Sequence, residues 1–259
     1  MPMPSQPLIV IPARLAATRL PGKPLADIAG MPMIVHVAAR ALKARVGPVV
    51  VAAAEPAIAE AVERADIARL VGAPEGAVAV ALTDPALPSG SDRVWAAVQS
   101  VDPAGRHDVI VNLQGDMPTL DPKVIGEVLA PLAEPTVDIA TLVARIRDDA
   151  ERDNPNVVKA ILELKPGARI GRAIDFVRTP PQGPGPHWHH IGIYAYRRAA
   201  LARFVALPQS AREIERKLEQ LRALDAGMRI DAAVVDTVPL GVDTPADLDR
   251  ARALLHRKA

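Results

Sequence analysis

Three basic side chains, Arg14, Arg19 and Lys23, stand in one short stretch: Pro12-Ala13-Arg14-Leu15-Ala16-Ala17-Thr18-Arg19-Leu20-Pro21-Gly22-Lys23-Pro24. No acid interrupts them. The chain as a whole carries 31 Lys+Arg against 30 Asp+Glu, a net charge of +1, so the stretch is a local concentration of positive charge. Arginine grips phosphate as a planar fork and lysine as a point charge, which suits a polyphosphate. A solvated basic loop has the same composition. The stretch lacks both the Gly-x-Gly-x-x-Gly of dinucleotide folds and the Gly-x-x-x-x-Gly-Lys-Ser/Thr of the P-loop, which argues against a nicotinamide dehydrogenase or a P-loop kinase.

Two carboxylates stand where a hard cation could be held. Asp116 follows the apolar run Val109-Ile110-Val111-Asn112-Leu113-Gln114-Gly115. A carboxylate just past a strand can hold a divalent ion that bridges phosphate oxygens, or can simply make the turn before Met117-Pro118. Gly241-Val242-Asp243-Thr244-Pro245-Ala246-Asp247-Leu248 is a helix start, with Thr244 as N-cap, Pro245 as first helical residue and Asp247 as capping-box acid. Those roles leave Asp243 unexplained. It either shares a cation with Asp116 or is one more acid at a helix entrance.

Other segments are more ambiguous. In Pro88-Ser89-Gly90-Ser91-Asp92-Arg93, Ser91 is the expected N-cap, and Ser89 and Gly90 leave room for a nucleotide base or ribose. His187-Trp188-His189-His190 gathers three histidines, but no second His/Asp/Glu pair stands at helical metal spacing, so zinc is not expected. In the strand that follows, His190, Gly192 and Tyr194 share a face. That face suits a hydroxylated substrate, or is an ordinary half-exposed strand. The run from Glu213 to Arg222 reads as a solvent-facing, salt-bridged helix with Ile214, Leu218 and Leu221 as its packing stripe.

These residues need elements to position them. Apolar runs predict strands over 8–11, 49–51, 77–81 and 108–113, and apolar residues at helical spacing predict helices over 33–44, 57–65 and 92–100. Residues 13–30 read as a loop. Strands alternating with helices indicate a parallel sheet covered on both faces. The second half predicts strands over 137–146, 156–164, 191–196 and 230–235, with helices over 211–226 and 246–256. The expected fold is α/β: a mixed, mostly parallel central sheet flanked by helices, in a single domain over 8–259 after a flexible N-terminus over 1–7. A segment with four prolines, 179–186, reads as an exposed loop.

Composition excludes several classes. The chain has 259 residues, 49% hydrophobic, with no cysteine, 26 prolines and only two each of Phe, Tyr and Trp. Balanced charge and high apolar content are unlike a disordered chain. Without cysteine there are no disulfides, thiolate metal sites or thiol catalysis. Near-neutral charge argues against a nucleic-acid partner. No run approaches the about 18 apolar residues of a membrane span, and no signal peptide is evident, so a soluble, cytoplasmic protein is expected.

Taken in order, six motifs resemble one family, the 3-deoxy-manno-octulosonate (Kdo) cytidylyltransferases, over residues 8 to about 255. They are Pro12-Ala-Arg…Thr18-Arg-Leu-Pro-Gly-Lys-Pro24, Ser89-Gly-Ser-Asp-Arg93, Val111-Asn-Leu-Gln-Gly-Asp116, His190-Ile-Gly-Ile-Tyr194, Leu218-Glu-Gln-Leu-Arg222 and Gly241-Val-Asp-Thr-Pro245. The resemblance implies a nucleotide-diphospho-sugar transferase-like fold and transfer of CMP from CTP to Kdo, for lipopolysaccharide biosynthesis. It implies a homodimer and a Mg²⁺ cofactor bound by Asp116 and Asp243. Arg14 and Lys23 would hold the triphosphate with Arg19 nearby, and Ser89 and Gly90 would contact the cytidine. Gln114, His190, Tyr194, Glu219 and Gln220 would address the sugar acid, with help from Arg178. Alternatives are a related sugar acid such as 8-amino-Kdo, or a non-catalytic nucleotide-binding protein on the same fold. Three positions depart from the common family pattern: Ala53-Ala54-Glu55 in place of Thr-Asp, Ala86-Leu87-Pro88 before Ser-Gly, and Asp175-Phe176-Val177-Arg178 in place of Tyr-Phe-x-Arg.

Overall fold

The computed structural model describes residues 6–16, 19–180 and 186–256. Residues 1–5 of the N-terminus, Thr18 of the basic stretch and residues 181–185 of the proline-rich segment lie outside the described residues. Contacts gather the chain into two compact units, one of Met1–Ile125 with Pro239–Ala259, the other of Gly126–Val238.

The first unit begins with β1 (Pro7–Ala13), a 3₁₀ turn (Lys23–Leu25), and the hairpin strands β2 (Asp27–Ile28) and β3 (Met31–Pro32). It continues through α1 (Met33–Lys43), β4 (Val49–Ala53), α2 (Pro56–Arg64), α3 (Ile67–Val71), β5 (Val78–Leu82), α4 (Gly90–Val101), β6 (Val109–Asn112) and α5 (Pro122–Glu127). The strands order as β5-β4-β1-β6, every pair parallel. β4 and β6 are buried along their whole length and β1 nearly so, because the apolar runs that predicted them are covered on both faces. The stretch read as a loop over 13–30 therefore also holds a helical turn and half a hairpin.

The second unit contains β7 (Ile139–Arg145), α6 (Asp149–Asp153), β8 (Lys159–Glu163), β9 (Ile170–Val177), β10 (Trp188–Arg197), α7 (Arg198–Ala206), α8 (Ala211–Arg216), α9 (Leu221–Asp225) and β11 (Ile230–Val235). Its strands order as β10-β7-β11-β9-β8. Here only β7 and β11 run parallel, and the other pairs are antiparallel. The parallel character expected of the sheet thus belongs to the first unit. The chain then returns to the first unit as α10 (Pro245–His256).

Two expectations are corrected. The single helix over 211–226 is two short helices, with Lys217 between them at φ 54°. Glu213 and Arg222 explain the break. They bond at 2.8 and 2.6 Å although nine residues apart, whereas nine residues of continuous helix would separate them by ~13.5 Å. Consequently Leu218 and Leu221 are buried, but Ile214, expected in the same stripe, is 60% exposed. Second, α4 is capped by Ser89, whose Oγ accepts the Asp92 N–H; the expected cap, Ser91, is buried inside the helix. β9 and α7, like the short helices α3, α5 and α6, carried no expectation. Among the described residues no helix is long and apolar enough to cross a membrane.

Candidate active site

The basic stretch leaves the end of β1 and turns back on itself. The Gly22 N–H donates to the Leu15 carbonyl at 3.2 Å and the Lys23 N–H to that of Leu20 at 3.1 Å. Gly22 makes the return at φ 69°, a left-handed conformation glycine adopts without strain. Glu55, just past β4, fixes the base of the loop: its carboxylate accepts the Leu15 N–H at 3.0 Å. Ala54 donates to the Ala13 carbonyl alongside.

Asp116 is set by β6. Leu113 continues the ladder to Val10, and Gly115 packs so closely against β1 that a Cβ there would stand 3.1 Å from the Pro12 carbonyl oxygen. The Asp116 carbonyl then accepts the Val242 N–H at 2.9 Å, bringing in the segment before α10. Val242 is fully buried in a cluster with Ile28, Met33 and Leu248, which anchors that segment. The expected helix start is present: Asp247 accepts the Thr244 and Asp243 N–H groups and the Thr244 hydroxyl, and Thr244 accepts the Asp247 N–H. Burial works against the Asp247 charge, but these donors and Arg250 outweigh it and hold the carboxyl down at about 2.

The result is one cluster. Lys23 Nζ donates to Asp116 at 2.9 Å and to Asp243 at 3.0 Å, and Arg19 pairs with the other Asp243 oxygen at 3.1 Å. Burial disfavours the Lys23 ammonium, yet the two aspartates prevail and hold its pKa above the usual lysine value. The cluster lines a cavity of about 370 Å³ together with Arg14, Ser89, Gly90, Arg93 and Gln114. All eight residues expected in the nucleotide and metal sites or beside them in the first unit, Arg14, Arg19, Lys23, Ser89, Gly90, Gln114, Asp116 and Asp243, therefore share one cavity. Ser89 also donates to Asp92 at 2.6 Å, and Gln114 donates to Asn112 at 3.1 Å.

Sequence reasoning passed over two residues of this cavity region. Arg93 is 2% exposed and donates to the Thr83 hydroxyl and to the Asp84 carbonyl. Burial pulls its pKa down, Glu55 opposes that, and Arg14 adds to it. It was visible as the last residue of the Ser-Gly-Ser-Asp-Arg motif. Glu55 was visible only as a departure from the family pattern.

Among the described residues no three His, Cys, Asp or Glu side chains converge as metal ligands. Two do converge on one positive group, since Asp116 and Asp243 share the Lys23 ammonium. Mg²⁺ commonly takes one or two carboxylates and completes its shell with water and substrate phosphates, so this pair fits it chemically. The clustered histidines have separate partners: His189 pairs with Glu151, whereas His190 Nε2 lies 3.0 Å from the Thr141 hydroxyl.

The remaining expected residues lie in the second unit. His190 and Tyr194 share a face of β10, their ring centroids 5.4 Å apart, in a row that runs Phe176–His190–Tyr194–Tyr196–Phe204. Burial, reinforced by His189, pushes the His190 pKa down to about 3, so the ring is neutral at physiological pH. Burial raises the Tyr194 phenol well above its ordinary value, with Tyr196 and Glu219 adding to the shift. Glu219 is therefore close enough to act on Tyr194. Gln220, 7% exposed, is the residue before α9. Arg178 stands apart in kind: its guanidinium donates to the carbonyls of Pro155, Arg216 and Lys217, which is a structural tie. Asp175, the acid that departs from the family pattern, is neutralised by Arg212 at 3.2 Å and Arg216 at 3.0 Å.

Comparison with known proteins finds relatives along nearly the whole chain. A family model described as cytidylyltransferase matches residues 8–230. The 3-deoxy-manno-octulosonate cytidylyltransferase of Paramagnetospirillum magneticum is 63% identical over 250 residues, covering 96% of this chain and 97% of the relative. That of Rhodospirillum centenum is 65% identical over 253 residues, covering 97% and 94%. A solved structure of CMP:2-keto-3-deoxy-manno-octonic acid synthetase complexed with CTP superposes with a TM-score of 0.86 at 35% identity, covering 98% of this chain and all of that one.

Proposed function

The chain belongs to the cytidylyltransferase family, among the 3-deoxy-manno-octulosonate cytidylyltransferases, and on that premise we propose that it transfers CMP from CTP to Kdo in the first-unit cavity. The anomeric oxygen of Kdo forms a bond to the α-phosphorus, the bond from that phosphorus to the α–β bridging oxygen breaks, and pyrophosphate leaves as the hydroxyl loses its proton.

The observation that carries this reading is the convergence of Lys23, Arg14 and Arg19 with Asp116 and Asp243 on one cavity. Triphosphate and sugar acid are both anions, so their approach must be offset by fixed positive charge. Arg14 and Lys23 hold phosphate oxygens, with Arg19 at the rim, and the buried Arg93 adds positive charge to the same wall. Ser89 and Gly90, at the start of α4, face the nucleoside. Asp116 and Asp243 would hold Mg²⁺, which when bound neutralises charge on the phosphate oxygens. His190, Tyr194, Glu219 and Gln220, with Gln114, address the sugar acid. Arg178 acts on this surface indirectly, by tying the 155 and 216–217 carbonyls.

The same reading makes the enzyme a cytoplasmic homodimer, an assignment supported by the family resemblance and checked by sedimentation. The defining test is a panel of CTP, UTP, ATP and GTP against Kdo, 8-amino-Kdo and other 2-keto sugar acids, with pyrophosphate release as readout. Release with CTP and Kdo in the presence of Mg²⁺ is expected. Brisk release with another pair, and none with Kdo, overturns the substrate assignment.

A further inference from the structure

β10 does not pair evenly with β7. His190 stands opposite Val143 and Ile191 opposite Leu142, but the next partnered residue is Tyr194, opposite Thr141. Two residues, Gly192 and Ile193, are extra in β10, and the ladder is broken there. The Thr141 side chain fills the break. Its hydroxyl is buried and lies 2.9 Å from the Ile193 carbonyl, 3.3 Å from that of Ile191 and 3.0 Å from His190 Nε2.

This geometry has one consistent proton assignment. Carbonyl oxygens only accept, so the single hydroxyl proton of Thr141 goes to them, with Ile193 the nearer. The hydroxyl oxygen can then only accept from His190, so Nε2 carries the proton. The ring is neutral, so Nδ1 is left with a lone pair and no hydrogen. A lone pair accepts from a hydroxyl and is repelled by a carboxylate.

We infer that Thr141 is a positioning residue for acceptor recognition: it fixes His190 as the Nε2–H tautomer, so that Nδ1 accepts a hydrogen bond from a hydroxyl of the sugar acid. This rests on the reading that His190 addresses that substrate. Thr141 also holds the bulge that sets His190 beside Tyr194, their rings tilted by 56°, so two recognition rings depend on one hydroxyl.

The test uses the full-length protein with ¹⁵N-labelled histidine. In the free wild type the His190 ring is expected to show a protonated Nε2 and a pyridine-type Nδ1. Thr141→Ser should keep both signatures and the wild-type KM for Kdo. Thr141→Val should lose the tautomer preference and raise the KM for Kdo about tenfold, the scale of one lost hydrogen bond. Its KM for CTP should stay unchanged. A wild-type ring protonated on Nδ1, or a Thr141→Val protein with unchanged tautomer or unchanged KM for Kdo, overturns the inference. The tautomer is read without substrate. Wild-type protein with the expected tautomer but no transfer to Kdo would therefore refute the functional reading and not the proton assignment.

Discussion

Lys23 Nζ lies 3.0 Å from Asp243 Oδ1, an ion pair between residues 220 positions apart in the chain. The same ammonium is 2.9 Å from Asp116, so one lysine bridges both carboxylates that are suited to a divalent cation. On the proposed reading, a divalent cation would compete with this lysine for the same oxygens.

That competition is measurable. Lys23→Met should bind Mn²⁺, without nucleotide, about tenfold more tightly than wild type by calorimetry, because a charge repelling the cation is gone. The same variant should lose at least ~100-fold in turnover, the usual loss when a group that stabilises developing charge is removed. Equal or weaker Mn²⁺ binding would show that Lys23 does not compete.

The buried pair Glu213–Arg222 joins α8 to α9, and both side chains are under 10% exposed. Removing one partner strands the other charge. Arg222→Leu should lower the unfolding free energy by about 3–5 kcal/mol in urea titrations, and the double variant Glu213→Leu/Arg222→Leu should lose less than the single. Glu219 and Gln220 lie in the chain between the two partners, so the KM for Kdo should rise in the single variant. A change below about 1 kcal/mol would mean that the break at Lys217 has another cause.

His190 ties stability to pH. Its pKa is about 3 in the fold against an ordinary 6.5, because burial, and then the neighbouring His189, disfavour its charge. The unfolded chain thus binds the extra proton between those values. The contribution is complete above pH 6.5 and is lost as pH falls toward 3, at up to about 1.4 kcal/mol per pH unit. Denaturant midpoints from pH 7.5 to 4.5 should fall less steeply in His190→Gln than in wild type. Parallel curves would contradict the buried, neutral ring.

Much of this was legible in the sequence for physical reasons. The runs at β1, β4 and β6 are continuous and apolar because both sheet faces are covered, and Arg14 and Asp116 follow strand ends, where α/β sheets bind ligands, whereas Asp243 stands just before α10. Thr244 and Asp247 followed a local capping rule and were read correctly. What escaped depends on tertiary contacts. The charge pattern of 211–226 is that of one helix, whereas in the fold Lys217 turns left-handed and Glu213 pairs with Arg222 across the break. Thr141 is a common residue type inside an apolar strand, and nothing local marks it as the filler of a bulge in β10. Asp175 shows in the sequence only as a departure from the family pattern, and its partners Arg212 and Arg216 are 37 and 41 residues away. The aromatic scarcity gained a meaning too, since Phe176, Tyr194, Tyr196 and Phe204 form a single row with His190 while Trp188 stays out of it.

On the proposed function, Asp116 and Asp243 act together in cytidylyl transfer and are not merely structural. The most direct measurement is the steady-state rate of pyrophosphate release from CTP, Kdo and Mg²⁺ by Asp116→Asn and Asp243→Asn, with circular dichroism to verify the fold. Each isosteric change should leave the spectrum and melting profile near wild type and reduce the rate by at least ~100-fold. A well-folded variant that turns over at close to the wild-type rate would contradict the account.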